Sequence, residues 1–263
     1  MQIAVAGKGG VGKTTFTALV VRELVSTGNV PVLAVDADAN ANLAEALGVA
    51  VEGTVADVLA ELSGDRSSRP GGMTKAEYMD FRLHQVMAES PAVDLMVMGG
   101  PEGPGCYCYA NNLLRGLMER KARDYPFLLL DNEAGLEHLS RRTTREVDLL
   151  FVVSDATVRG LRSAQRIHRL AGSLELGIKR IFLVVNRVGG GGARAALEGP
   201  VAATGLEVAG WVPQDPAVEA WDLEGRPFMT LPDDAPAVAA VREIVRRLVL
   251  GRPDDANRGS ARA

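Results

Sequence analysis

Two cysteines in 263 residues are too few for a disulfide-stapled scaffold and normal for a reducing compartment. No apolar run approaches the roughly 20 residues that cross a bilayer. The N-terminus begins a short strand where a secretory leader would carry its charged and apolar regions, so a cytoplasmic location is expected, without membrane association. Charge of one sign is also missing. The 29 Lys and Arg against 33 Asp and Glu leave a net charge of −4, which predicts no general affinity for nucleic acid. Only three histidines occur and no His-rich tail, so a metal-storage tract is not indicated.

What is present describes an ordinary globular chain, 47% apolar and 24% charged. Short apolar or β-branched runs at residues 2–6, 31–36, 93–98, 126–131, 149–154, 180–186 and 208–212 alternate with helical periodicity. That alternation predicts an α/β fold, a doubly wound and mostly parallel sheet with helices on both faces. The runs are continuous, as in Phe127-Leu128-Leu129-Leu130, which suits strands covered on both sides. Residues 63–72 and the four glycines 189–192 have the composition of surface loops. Neither divides two cores, so one domain is expected over residues 1–250, with a disordered tail at 251–263. In residues 236–250, Val238, Val241, Val245, Leu248 and Val249 share one side, the pattern of a core-packed last helix.

Between the first strand and a helix over residues 16–25 lies Gly7-Lys8-Gly9-Gly10-Val11-Gly12-Lys13-Thr14. A glycine-rich loop in that strand–loop–helix setting is a Walker A phosphate cradle, or P-loop. Backbone N–H groups and the helix N-terminus meet the phosphates of ATP. Lys13 reaches the β- and γ-phosphates, Thr14 offers its hydroxyl to Mg²⁺ and Thr15 lies nearer the α-phosphate. Lys8 is a second lysine, directly after the first glycine. With it the motif resembles the deviant Walker A ATPases, the class of MinD, ParA and the nitrogenase iron protein. That resemblance implies that Lys8 acts across a nucleotide-dependent homodimer, on the partner's ATP.

The same resemblance organises the acidic strand ends. Leu33-Ala34-Val35-Asp36-Ala37-Asp38 matches the first switch, which implies that Asp38 orients the attacking water and Asp36 supports the Mg²⁺ shell. Either aspartate is alternatively a turn former. Phe127-Leu128-Leu129-Leu130-Asp131 has the form of a Walker B strand, delivering Asp131 to the Mg²⁺ shell, and Gly135 resembles the glycine of the second switch that senses the γ-phosphate. Asn186 and Arg187, with Pro213, Gln214 and Asp215, stand at strand ends where this class holds adenine. Asn186 is the candidate amide partner of the ring.

Cys106 and Cys108, two apart in an extended segment, project to one side and can meet one metal ion. The preceding Gly99-Gly100-Pro101-Glu102-Gly103-Pro104-Gly105 argues against simple burial. Zn²⁺ takes four ligands and square-planar Ni²⁺ also takes four. A symmetric dimer would supply the second pair, making one Ni²⁺ or Zn²⁺ site shared between two subunits. The loop is similar to the cluster-ligand segment of the nitrogenase iron protein, but Ala134 stands where that family needs another cysteine. The deviant Walker A, the Cys-x-Cys pair and Ala134-Gly135-Leu136-Glu137-His138 together resemble the nickel-insertion accessory ATPases of carbon monoxide dehydrogenase. That resemblance covers roughly residues 1–228, departing at Ala39 and over about residues 51–79. It implies an ATP-hydrolysing metallochaperone whose recipient is a nickel-dependent carbon monoxide dehydrogenase. An ATP-gated iron–sulfur reductase and a MinD/ParA-type positioning ATPase are the alternatives.

Overall fold

The computed structural model describes residues 1–38, 40–63, 72–100, 124–133, 135, 146–173 and 177–251. Among them run seven strands: β1 (Gln2–Gly7), β2 (Val32–Asp36), β3 (Val93–Val97), β4 (Phe127–Asp131), β5 (Glu146–Asp155), β6 (Gly177–Val188) and β7 (Glu207–Pro213). They form one sheet in the order β3-β2-β4-β1-β5-β6-β7, with every pairing parallel. All seven expected strands are present. Both β5 and β6 extend beyond the expected runs, because strand pairing reaches past the apolar stretch at each end, from Glu146↔Gly177 to Asp155↔Asn186.

The helices are α1 (Lys13–Ser26), α2 (Asn42–Leu47), α3 (Val55–Ser63), α4 (Lys75–Val86), α5 (Val158–Ser173), α6 (Ala193–Ala202), α7 (Pro216–Leu223) and α8 (Pro236–Leu248). Alternate strand residues feed two cores. Ile3, Val5, Leu149, Phe151 and Val153 face α1, α2 and α8, whereas Ala4, Ala6, Leu150 and Val152 face α3, α4 and α5. Phe16 meets Phe151 edge-on at 5.4 Å, fixing α1 against the sheet centre. In α8, Ala237, Val238, Val241, Ile244 and Val245 are buried, so the amphipathic last helix spends its apolar face on the core. No helix among the described residues is long and apolar enough to cross a membrane.

β1 sits between β4 and β5, where the chain's excursions to the two sides of the sheet diverge. Open α/β sheets bind ligands outside the carboxyl ends of the strands at such a point. Helix α1 starts at Lys13, three residues before the apolar run that announces it, because Gly12 caps it in the left-handed region at φ 88°. Lys13, Thr14 and Thr15 are thereby its first turn, whose N–H groups have no partner within the helix. Of the expected tail at residues 251–263, all but Gly251 lies outside the described residues.

Candidate nucleotide-binding site

Two glycines of the loop are dictated by close approach. A Cβ on Gly7 would run into the carbonyl oxygen of Val153 on β5, and one on Gly12 into the side-chain amide of Asn186. Gly10 adds a left-handed turn at φ 77°. Lys13 is buried, its Nζ 3.4 Å from the carbonyl oxygen of Lys8, and so lies folded along the loop. The Lys8 side chain is exposed. The two lysines therefore occupy opposite environments, one inside the loop and one projecting from it.

Beneath the loop, Asp36 and Asp131 end neighbouring strands in register, and both are buried. Burial pushes the Asp131 carboxyl up to about 7, opposed by the Thr14 hydroxyl, raised further by the charge of Asp36 and opposed by Lys13. One Asp131 oxygen accepts from Thr17 Oγ1 at 3.3 Å, whereas Oδ2 is buried without a hydrogen-bond partner. Asp36 is likewise raised by burial, to about 6, although Leu43 N and Asp38 N donate to its two oxygens at 2.8 and 3.0 Å. Asp36 thus also holds the turn into α2. Asp38 is half-exposed, and its Oδ1 accepts from both the backbone and side-chain nitrogens of Asn40, at 3.0 and 2.9 Å. Turn formation occupies one Asp38 oxygen in this arrangement.

Gly135, at φ 97°, forms an antiparallel bridge to Gly7 and donates its N–H to the Gly7 carbonyl at 3.0 Å. The glycine expected to belong to the second switch is thereby docked on the root of the phosphate loop. Thr17 and Asn132 belong to the same layer and were not singled out by the sequence. Thr17 follows Lys13 by one helical turn, a spacing that could have flagged it. Asn132 donates to Val5 O at 2.8 Å while its buried Oδ1 has no partner, and nothing in the local sequence announces that contact.

A cavity of about 250 Å³ opens beside the first turn of α1. Thr15, Phe16, Leu19, Val212 and Val218 line it, with Asn186, Arg187, Pro213, Gln214 and Asp215 at the same wall. The structure brings all five expected adenine-side residues together, but the side chains of four are already engaged, Gln214 Nε2 donating to Glu219 Oε1 at 2.7 Å among them. Asn186 Nδ2 donates to Val11 O at 2.8 Å, and Arg187, left-handed at φ 55°, donates to Gly10 O at 3.0 Å. Both brace the phosphate loop from β6. The Asp215 carboxylate accepts from Ala217 N and Ala237 N, each at 2.9 Å, and so caps α7 and anchors the start of α8.

Cys106 and Cys108 lie outside the described residues, as do Ala39, Ala134 and residues 136–139. Among the described residues, no group of three or more His, Cys, Asp or Glu side chains is placed to hold a metal ion. His168 Nδ1 lies 3.2 Å from Thr204 O.

Residues 3–228 match the CbiA family, the CobQ/CobB/MinD/ParA nucleotide binding domain. An uncharacterised ATP-binding protein of Methanocaldococcus jannaschii is 43% identical over 251 residues, covering 95% of this chain and 98% of that protein. The carbon monoxide dehydrogenase accessory protein CooC of Rhodospirillum rubrum is 34% identical over 243 residues, covering 86% of this chain and 88% of that one. The solved structure of the MinD cell division protein of Aquifex aeolicus superposes with a TM-score of 0.71 at 22% identity, covering 96% of this chain and 98% of that chain, a likeness of fold. The chain belongs to the CbiA family of MinD/ParA-like nucleotide-binding proteins and is a P-loop ATPase.

Proposed function

We propose that this ATPase is a metallochaperone that uses an ATP-dependent homodimer to carry nickel to a carbon monoxide dehydrogenase. Cys106 and Cys108 of both subunits would hold one Ni²⁺ or Zn²⁺ as cargo at the two-fold axis. The observation carrying this reading is the similarity to CooC over 86% of the chain, in a sequence whose two cysteines form a Cys-x-Cys pair. The exposed Lys8 fits a role across the dimer, since a lysine serving its own ATP would fold inward as Lys13 does.

The residues also fit Mg²⁺. Asp131 Oδ2 is a buried acceptor without a partner, and Thr14 and Asp36 add oxygen donors that suit a hard cation. Thr14, Asp36 and Asp131 would hold the ion, which when bound neutralises phosphate charge. Lys13 and the loop N–H groups would cradle the phosphates, Asp38 would orient the attacking water, and Gly135 N–H would leave Gly7 O to meet the γ-phosphate. Asn186 keeps its amide oxygen and one N–H for adenine while bracing Val11.

Metal stoichiometry and X-ray absorption on wild type and Cys106→Ala/Cys108→Ala, with and without ATP, test the cargo site. One metal per dimer in a four-sulfur shell is expected. Thiolates must lose protons to bind, so affinity should weaken below about pH 7. A shell of nitrogen and oxygen, or one metal per monomer that survives loss of both cysteines, would refute it. For Lys8→Ala, size-exclusion chromatography should show retained nucleotide and lost ATP-dependent dimerisation. The MinD/ParA fold favours a second reading, a positioning ATPase. ATP-dependent co-sedimentation with vesicles or DNA, without bound metal, would select it.

A further inference from the structure

Among the described residues, Arg180, Arg187 and Arg247 donate to backbone carbonyls, Arg194 lies over the Trp211 ring, and five further arginines meet carboxylates. Arg22 meets Asp233, Arg82 meets Glu61, Arg226 meets Glu224, and Arg242 and Arg246 meet Glu23, all within 3.3 Å. Helix α5 is different. Its Arg159, Arg162, Arg166 and Arg169 are all exposed, and no Asp or Glu occurs within the helix. Arg166 donates to Ser163 Oγ at 2.9 Å and Arg169 to Gln165 Oε1 at 3.2 Å, both neutral acceptors. None of the four forms an ion pair with a carboxylate among the described residues. At 100° per residue the four fall within an arc of about 80°, along about 15 Å of helix. The helix N-terminus adds partial positive charge at the same end as Arg159.

Beside this stripe, α5 and α6 enclose a groove of about 350 Å³. Val158, Leu161, Pro200 and Ala203 give it an apolar floor, and Arg162 and Gln165 stand at its edge. Val158 and Leu170 are large apolar side chains left more than 40% exposed at the two ends of α5. The one acidic residue of α6 is Glu198.

We propose that this groove and its arginine rim dock an acidic amphipathic helix of a partner protein. Charge complementarity selects the occupant. A carboxylate-bearing helix meets guanidinium groups bidentately at matching turn spacing, and its apolar flank covers the floor. A phosphate backbone would satisfy the arginines but leave that floor wet, and the chain's net charge of −4 opposes broad attraction to polyanions. The surface is independent of the cysteine pair and stands whatever metal those residues bind. Helix α5 begins three residues after Asp155, at the end of the strand that pairs with β1, so the docked partner would sit close to the phosphate loop.

The test uses the full chain and a labelled synthetic helix of about five turns. The peptide carries Glu at positions i, i+3, i+7 and i+10 with Leu along one flank, and its control has the same composition in scrambled order. Fluorescence anisotropy should show binding of the patterned peptide, weakened about tenfold or more by Arg162→Glu/Arg166→Glu, by Ala203→Glu in the apolar lining, and by raised salt. Circular dichroism and ATP binding should remain as in wild type, because every substituted residue is exposed. Equal binding of the scrambled peptide, or indifference to Ala203→Glu, would overturn the proposal. So would arginine-dependent binding of a DNA duplex or of phosphatidylserine vesicles without peptide binding, or loss of self-association by the same variants, which would assign the surface to lipid, DNA or a second copy.

Discussion

Two buried acidic clusters in this molecule have opposite surroundings. Glu23 in α1 is 3% exposed and lies between Arg242 Nε at 3.3 Å and Arg246 Nε at 2.9 Å, which ties α1 to α8. Asp131 and Asp36 are 1% and 0% exposed, and among the described residues they hold no salt bridge and one Asp131 oxygen has no hydrogen-bond partner. Burying a charge is costly unless it is matched. Glu23 is matched and braces two helices. Asp131 has the nearby charge of Lys13 but no ion pair among the described residues, surroundings that suit the Mg²⁺ role proposed for it. Burial alone therefore does not separate the two clusters, whereas the presence of an ion pair does.

The sharpest separation of the clusters is catalytic. Asp131→Asn should lower ATP turnover about a hundredfold or more, while Glu23→Gln should leave turnover per folded molecule unchanged in a steady-state assay. An equal loss in both would erase the distinction.

Stability should separate them in the reverse sense. Glu23→Ala should cost about 2–3 kcal/mol in urea denaturation, below the usual value for a fully buried pair because Arg242 and Arg246 are 27% and 40% exposed and can hydrate. Asp131→Asn should instead stabilise the nucleotide-free protein at pH 8 by a comparable amount.

The pH dependence follows from the direction of the shifts. Asp131 rises from 3.8 to about 7 on folding, so between those values the native state keeps a proton that the unfolded chain has lost. Stability of the nucleotide-free protein should therefore fall as pH rises from about 4 to about 7, with Asp36 contributing over the lower part, and level off above. Asp131→Asn should flatten that slope, and Mg²⁺ with ATP should offset it. A slope unchanged in Asp131→Asn would remove Asp131 as its source.

The smallest effect calibrates the others. Glu224→Gln breaks a pair in which both partners are about half exposed, and should shift stability by about 0.5 kcal/mol or less.

Much of the site was legible because its signals are local. Gly7 through Thr15 form one unbroken segment, and each predicted strand is a short apolar run whose periodicity needs no distant partner. Asn186, Arg187 and Asp215 were placed at the nucleotide edge but not given their present bonds, because those partners are remote. Asn186 reaches Val11 across 175 residues of sequence, and Arg187 reaches Gly10 across 177. Glu23 carried no signal, since a glutamate in a helix is ordinarily solvated.

By itself the sequence determined the seven strands, the phosphate loop and its two lysines, since backbone propensity, apolar period and glycine placement act over a few residues. Tertiary structure alone decided the order β3-β2-β4-β1-β5-β6-β7, the pairing of Asp36 with Asp131 in register, and the contrast between Glu23 held by two arginines and Asp131 held by none among the described residues. Those outcomes depend on which remote groups share a region emptied of water, and that is fixed only when the sheet closes over its two cores.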